Sequence, residues 1–425
     1  MAATTTRTRP TGSMAWARGR DHGVDTRRGK SSCTAGLPSL PHSPCVQNTG
    51  RLPGQAMSDL SVPFAHVDAE NGQLLATFAG PLAQGLASGR FIGGDDVAEF
   101  EARFARMHGT AHAVAVGSGT DALKLTIRAL GLAHRGTGIT VANTFLATVG
   151  AMVTEGVRPL LVDVRGDENI DVTAVEKAIT PSTTMVVAVH LRGLPADVHA
   201  LRDLCAARSL TLIEDCAQAV LATVGGVPVG TFGEAGCFSL HPLKNLGACG
   251  DAGIVVTDNP ELAAEIRLLR NHGLRDRDTS LRWGENSRLD ALQARLLNLK
   301  LDYIEEWTRR RRNLARLYDE ELAGLPLTTP AGDDGHVYHR YVIRVAHRDA
   351  LRTHLRTAGI ETAVHYPVPV HRQPAANDGS VDVADGGLPV TEQQAREILS
   401  LPLHPLLRED QIRYVARRIE DFLGR

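Results

Sequence analysis

Lys244 stands alone in "FSLHPLKNLGACGDAGIVVTD" (Phe238–Asp258), among apolar residues, a proline and a run of small residues. A lysine in such a stretch has two uses. Its stem can lie along a core while the amine stays in water. Alternatively the amine is kept for its nucleophilicity, forming a Schiff base with a carbonyl once its surroundings lower its pKa. Ser239 comes five residues earlier, so its hydroxyl could help hold a phosphate while the amine reaches a carbonyl. The glycines follow the lysine instead of preceding a Lys-Ser/Thr pair, which counts against a nucleotide-phosphate loop.

Three other stretches carry chemistry of the same kind. "GSGTDAL" (Gly117–Leu123) is a glycine-bearing turn into a helix, where backbone N–H groups and the Thr120 hydroxyl make an anion site or simply an N-cap. In "IEDCAQA" (Ile213–Ala219), Asp215 falls just past an apolar strand, with Gln218 three residues on. A carboxylate there can keep a pyridinium nitrogen protonated or can cap a helix. In "NTFLAT" (Asn143–Thr148), Phe145 at a strand end can stack on a planar ring or belong to the core. A phosphate site, a carboxylate for a ring nitrogen, a stacking aromatic and a Schiff-base lysine are together the requirements of pyridoxal 5′-phosphate (PLP).

Positioning these residues requires one sheet edge, and the pattern supplies it. Apolar runs at 112–117, 158–164, 184–191 and 210–215 read as strands. Amphipathic runs at 120–132, 172–179 and 197–209 read as the helices between them, with Leu123, Ile127 and Leu130 on one face of the first. Near-continuous apolar strands alternating with helices predict a three-layer α/β/α unit with a mostly parallel sheet. "GCFSLH" and "GIVVTD" read as a strand pair flanking Lys244, and 289–322 as a long helical region. Beyond it the pattern changes to a smaller α+β unit ending in the helix "EDQIRYVARRIEDFL". The expected division is a large domain over 57–310 and a small C-terminal domain over 311–425. Residues 1–56, rich in Arg, Thr, Ser, Gly and Pro without apolar period, are expected to be disordered or to precede a true start at Met57.

A net charge of -2 over 425 residues gives no field for nucleic acid or an anionic membrane. No apolar run approaches the roughly 20 residues of a membrane span. The six cysteines show no CxxC pairing and there is no His-rich cluster of zinc spacing, so no metal is expected and the expected compartment is the cytoplasm.

From about Val62 onward the chain resembles the DegT/DnrJ/StrS sugar aminotransferases, a group of fold type I PLP enzymes. The stretches that carry the resemblance are "RFIGGDDVAEFEARFA", "GSGTDALKL", "NTFLAT", "EDCAQA", "VGTFGEAGCFSLHPLKNLGACGDAGIVVTD", "RNHGL", "GENSRLDALQA" and "HYPVPVH". The resemblance implies that Lys244 binds the cofactor covalently and later moves the substrate proton. It makes Asp215 the partner of the pyridine nitrogen and places Gln218 beside it at the ring's phenolic oxygen. Thr120, the backbone at Asp121, and Ser239 become the phosphate cradle, and Phe145 the stacked aromatic. Asn286 reaches the phosphate of a neighbouring subunit's cofactor, which implies a homodimer with shared active sites. In related sugar dehydratases a histidine replaces the lysine; its presence here favours amino transfer.

The function implied is transfer of an amino group from glutamate or glutamine to a keto sugar, nucleotide-linked and deoxygenated, for an antibiotic or surface glycan. PLP alternates with its pyridoxamine form. Two other expectations stand beside it: amination of a cyclitol ketone such as an inosose, and a non-catalytic regulator on the same fold. His339 and the histidines of "HYPVPVH" are candidates for substrate contact or ordinary surface residues. The chain departs from the family pattern in three places. Arg192 in "HLRG" stands where a tyrosine is usual, Val220 and Leu221 replace a histidine and a glycine, and the strand before "NTF" lacks a proline after Val141.

Overall fold

The computed structural model describes residues 61–65, 67–332 and 334–424, so the expectation for residues 1–56 lies outside the described residues. Helices α1 (Val67–Ser88) and α2 (Asp95–His108) lead into β1 (His112–Val116), α3 (Gly119–Ala129), β2 (Thr137–Val141), α4 (Leu146–Thr154) and β3 (Arg158–Val162). Then come α5 (Val172–Ala178), β4 (Thr183–Val189), α6 (Val198–Arg208), β5 (Thr211–Asp215) and a short hairpin of β6 (Thr223–Val224) and β7 (Val227–Pro228). Strands β8 (Ala235–Ser239) and β9 (Gly253–Thr257) flank Lys244, followed by α7 (Pro260–Leu269), α8 (Ala291–Leu301) and α9 (Ile304–Glu321). The chain ends with β10 (Tyr341–Arg344), α10 (Arg348–Thr357), β11 (Asp382–Val383), α11 (Pro389–Glu397), β12 (Ile398–Leu401) and α12 (Glu409–Leu423).

Among the described residues the main sheet has eight strands in the order β1-β9-β8-β5-β4-β2-β3-β11. Strand β9 runs antiparallel to both neighbours and the remaining pairs are parallel. Burial on both faces explains the apolar runs. Met185, Val187 and Ile213 pack with Leu125 and Ile127 of α3 and Ile266 of α7. The alternate residues Val186, Ala188 and Leu212 pack with Val175 of α5 and Val198 and Leu201 of α6. Strand β2 pairs with β3 from Thr137↔Arg158 to Val141↔Val162, so the missing proline costs the ladder no pairing. The region 289–322 divides at Asp302–Tyr303 into α8 and α9.

Strands β10 and β12 form a separate antiparallel pair. Tyr318, Tyr341, Leu351, Leu355, Ile412 and Val415 build a core on it from α9, α10 and α12. The segment between returns to the main sheet, where β11 pairs with β3 through Asp382↔Leu160. No helix among the described residues is long and apolar enough to cross a membrane.

Burial holds several histidines neutral. His108, stacked on Phe104 with centroids 4.3 Å apart, is pushed down to about 4, and His336 and His365 to about 3, burial being the largest cause in each. Unfolding frees them to titrate near 6.5, so below that pH the unfolded chain binds more protons. Stability is therefore full above about pH 6.5 and falls as pH drops toward 4, by up to about 1.4 kcal/mol per pH unit for each histidine. Urea midpoints at pH 7.5, 6 and 5 check this; a flat profile sinks it.

Candidate active site

The C-terminal edge of the parallel strands collects the residues singled out in the sequence. Asp215 ends β5 and is 5% exposed. Its Oδ1 accepts the Ala217 N–H at 3.1 Å and its Oδ2 accepts the Thr148 hydroxyl at 2.7 Å. Thr148 lies 2.8 Å from the Thr144 hydroxyl, so two threonines at the start of α4 fix the carboxylate's orientation.

Lys244 lies in the turn after β8, its N–H donating to the His241 carbonyl at 2.8 Å. Burial pushes its amine down to about 8; Asp215 opposes the shift and the Arg340 guanidinium adds to it. Its amine is thus far closer to neutrality than that of an ordinary lysine, and Asp215 is the carboxylate near it.

Beside it, Ser118 caps α3 by accepting the Asp121 N–H at 3.1 Å. A Cβ on Gly119 would stand 2.6 Å from the Ser239 Cβ, and one on Gly253 2.2 Å from the Ser118 carbonyl oxygen. The strand-to-helix turn is therefore pressed onto β8 and β9, with its amides at the N-terminus of α3, an arrangement suited to a phosphate. Ser287 pins the turn: its hydroxyl accepts the Gly117 N–H at 3.0 Å and donates to Asp121 at 2.8 Å. Gly119→Ala should force the turn away from Ser239 and weaken PLP binding by about 10-fold, the effect of losing about one amide contact. A fluorescence titration of the apo-protein reads this, and an unchanged affinity would count against the cradle.

Gln218 accepts the Arg192 N–H on its Oε1 at 2.7 Å, which turns its Nε2 toward the Tyr366 hydroxyl at 3.4 Å. Phe145, just before α4 and 52% exposed, has its ring 5.8 Å from that of Tyr366. Contacts thus join Phe145, Tyr366 and Gln218 into one wall, and Thr148 ties α4 to Asp215. Thr120 lies in the first turn of α3, next in sequence to Gly119, which packs on Ser239. Asn286 is exposed and precedes Ser287 on a bridge to Asn271.

The candidate histidines are mostly occupied elsewhere. His339 is buried with its Nδ1 3.1 Å from the Asn245 Oδ1, His365 lies 2.9 Å from the Ser400 hydroxyl, and His371 lies 2.9 Å from Glu392. Sequence reasoning gave no role to Thr148, Ser287 or Tyr366, although all three lie within or beside quoted motifs.

Two other features are structural. His190, Glu214 and Cys216 come together as a metal site might. Yet the Glu214 carboxylate already takes the N–H groups of Gly230, Phe232 and Gly233 at 2.7–2.8 Å and His190 Nε2 at 3.0 Å. A cavity of about 450 Å³ opens at the opposite strand edge, between Arg202, Phe232, Thr231 and Asp258. Its polar groups are engaged: Asn259 caps α7, Asp258 accepts the Ala111 N–H and Thr231 donates to the Pro228 carbonyl.

The pressed turn, the oriented carboxylate, the half-exposed ring and the amine of lowered pKa fit PLP. Comparison with known proteins points the same way. The sequence pattern of the DegT/DnrJ/EryC1/StrS aminotransferase family matches residues 75–420. The chain is 41% identical over 368 residues to a dTDP-3-amino-3,4,6-trideoxy-alpha-D-glucose transaminase of Streptomyces venezuelae, covering 86% of this chain and 97% of the relative. It is 38% identical over 369 residues to a "pleiotropic regulatory protein" of Geobacillus stearothermophilus, covering 85% and 99%. The crystal structure of S. venezuelae DesV in complex with a ketimine intermediate superimposes with a TM-score of 0.83 at 40% identity, covering 86% of this chain and 99% of that one. This is the fold type I α/β architecture of PLP aminotransferases, and the chain belongs to the DegT/DnrJ/EryC1/StrS aminotransferase family.

Proposed function

We propose that the protein transfers an amino group from glutamate or glutamine to C3 of a keto-deoxysugar carried on a nucleoside diphosphate, for an antibiotic or a surface glycan. The observation that carries this is the depressed Lys244 amine beside Asp215 and the Gly119–Ser239 turn. The position on the sugar and the nucleotide rest on the Streptomyces relative's name.

When bound, PLP supplies the electron sink that lets nitrogen leave the donor and enter the acceptor in two half-reactions. Lys244 would hold the group through its amine and would carry the proton off and onto the substrate carbon. Asp215, held by Thr148, would keep the ring nitrogen protonated. Gln218 would serve the phenolic oxygen, Phe145 the ring, and Thr120, the Asp121 amide and Ser239 the phosphate.

Asn286 serves a second copy's phosphate in a cytoplasmic homodimer with shared sites. Its exposure, and that of Trp283 at 92% and Ile92 at 54%, support such an interface. The separate core on β10 and β12 supports a large domain over 57–310 and a small one over 311–425.

The regulatory relative favours a second reading, a non-catalytic protein of the same fold. An absorbance spectrum separates the two. The enzyme binds PLP with a visible band, L-glutamate shifts it toward the ultraviolet, and a dTDP-linked 3-keto-6-deoxysugar brings it back. Return of the band with an inosose instead would make the acceptor a cyclitol. No band with added PLP would leave the regulatory reading.

A further inference from the structure

Arg192, at the position where the family resemblance expects a tyrosine, does not point a free charge at substrate. Its guanidinium is buried, with 10% of the side chain exposed, and pairs with Glu168, itself 10% exposed. Nη1 and Nη2 both meet the Glu168 carboxylate, and Nη2 also donates to the His365 carbonyl at 3.0 Å. Both acid and base sit in the left-handed backbone region, Arg192 at φ 60° and Glu168 at φ 70°. That conformation costs a non-glycine residue of order 1 kcal/mol and recurs at sites under functional constraint. The Arg192 main chain is engaged as well, donating to Gln218 and accepting from His336 Nε2 at 3.3 Å.

The residue that follows His365 is Tyr366, whose hydroxyl meets Gln218 and whose ring meets Phe145. A planar guanidinium can hold a carboxylate and a carbonyl together in fixed directions. We infer that Arg192, buttressed by Glu168, is a positioning residue: it seats the His365–Tyr366 segment and so sets the shape of the wall the acceptor meets. The inference rests on the aminotransferase reading only for its kinetic arm.

Two paired variants test it, R192E/E168R and R192M/E168Q. The first restores an ion pair and the second removes both charges, yet neither keeps a donor at 192 for the His365 carbonyl. Expected for a folded variant is amide hydrogen exchange about 10-fold faster in the peptide spanning 364–373, the loss of one charge-assisted hydrogen bond, with other peptides unchanged. In the kinetic arm, KM for the dTDP-linked keto sugar rises about 10-fold, more than kcat falls. Wild-type exchange in that peptide overturns the inference. So does faster exchange throughout the chain, or failure of both variants to fold, since each marks a purely structural pair. Absence of turnover in wild type defeats the function reading alone, because the exchange arm needs no substrate.

Discussion

Lys244→Ala should lower transamination by about 10⁴-fold, the upper end of what a positioned acid–base contributes, because on the proposed reading the same amine would also capture the cofactor. The variant holds PLP only through the turn, Asp215 and Phe145, so no covalent band forms. Lys244→Arg keeps a cation but no nucleophile, and it fails equally. Added methylamine supplies a free amine and restores a fraction of the rate. The wild-type pH profile gives a second, independent test. Capture of a carbonyl needs the neutral amine, and burial favours that form, bringing the pKa down to about 8 from 10.5. The rate of PLP loading into apo-protein should rise with pH and level off above about 8. At pH 7 the neutral fraction is about 300-fold that of an ordinary lysine, since each pKa unit is a factor of ten. A loading rate still climbing at pH 10, or a Lys244→Ala variant within 10-fold of wild type, would remove the amine from the mechanism.

Lys244 and Asp215 were legible in the sequence because their signals are local. Each sits at the end of an apolar run, and a parallel sheet puts the ends of such runs on one edge. The helices announced themselves the same way: Leu123 and Ile127 are 3% and 0% exposed, as their spacing predicts, while Leu130 is half-buried at the helix end. What holds the site residues still was not legible, because the partners are far apart along the chain. Thr148 reaches Asp215 across 67 positions and Ser287 reaches Asp121 across 166. No periodicity encodes either contact. The antiparallel course of β9 and the return of β11 to the main sheet are likewise set by tertiary packing of short runs. Arg192 was visible as a departure from a pattern, but its meaning depends on Glu168, 24 positions earlier, a residue with no motif of its own.

Glu214 is the sharpest case of this, and its replacement should have the largest effect on stability. In sequence it is one charged residue in "LIED", next to Asp215 and on the opposite face of β5. In the structure it is fully buried and accepts four hydrogen bonds, three from the main chain of the turn at Gly230–Gly233 and one from His190. His190 cannot adapt by changing tautomer, because its Nδ1 already accepts the Ala196 N–H at 3.1 Å. Glu214→Ala therefore strands four buried donors, and its cost should be about 3–5 kcal/mol, the low end of about 1–3 kcal/mol for each stranded donor. Glu214→Gln keeps the acceptor for Phe232 and Gly233 but turns an amide donor against Gly230 and His190, so it should fall between alanine and wild type. His190→Ala removes one donor of the four and should cost least, about 1–3 kcal/mol. Urea unfolding of the three variants reads this order. Against a net stability of about 5–15 kcal/mol, the alanine variant has little left. Damage should reach the site as well, because Gly236 of β8 packs directly on Gly230, where an added Cβ would lie 2.4 Å from the Gly230 Cα. Ser239 and Lys244 follow on that same strand and turn, so PLP affinity should fall in step with stability across the series. An alanine variant within about 1 kcal/mol of wild type would mean that water replaces the carboxylate at the four donors, and the turn would then be held by packing alone.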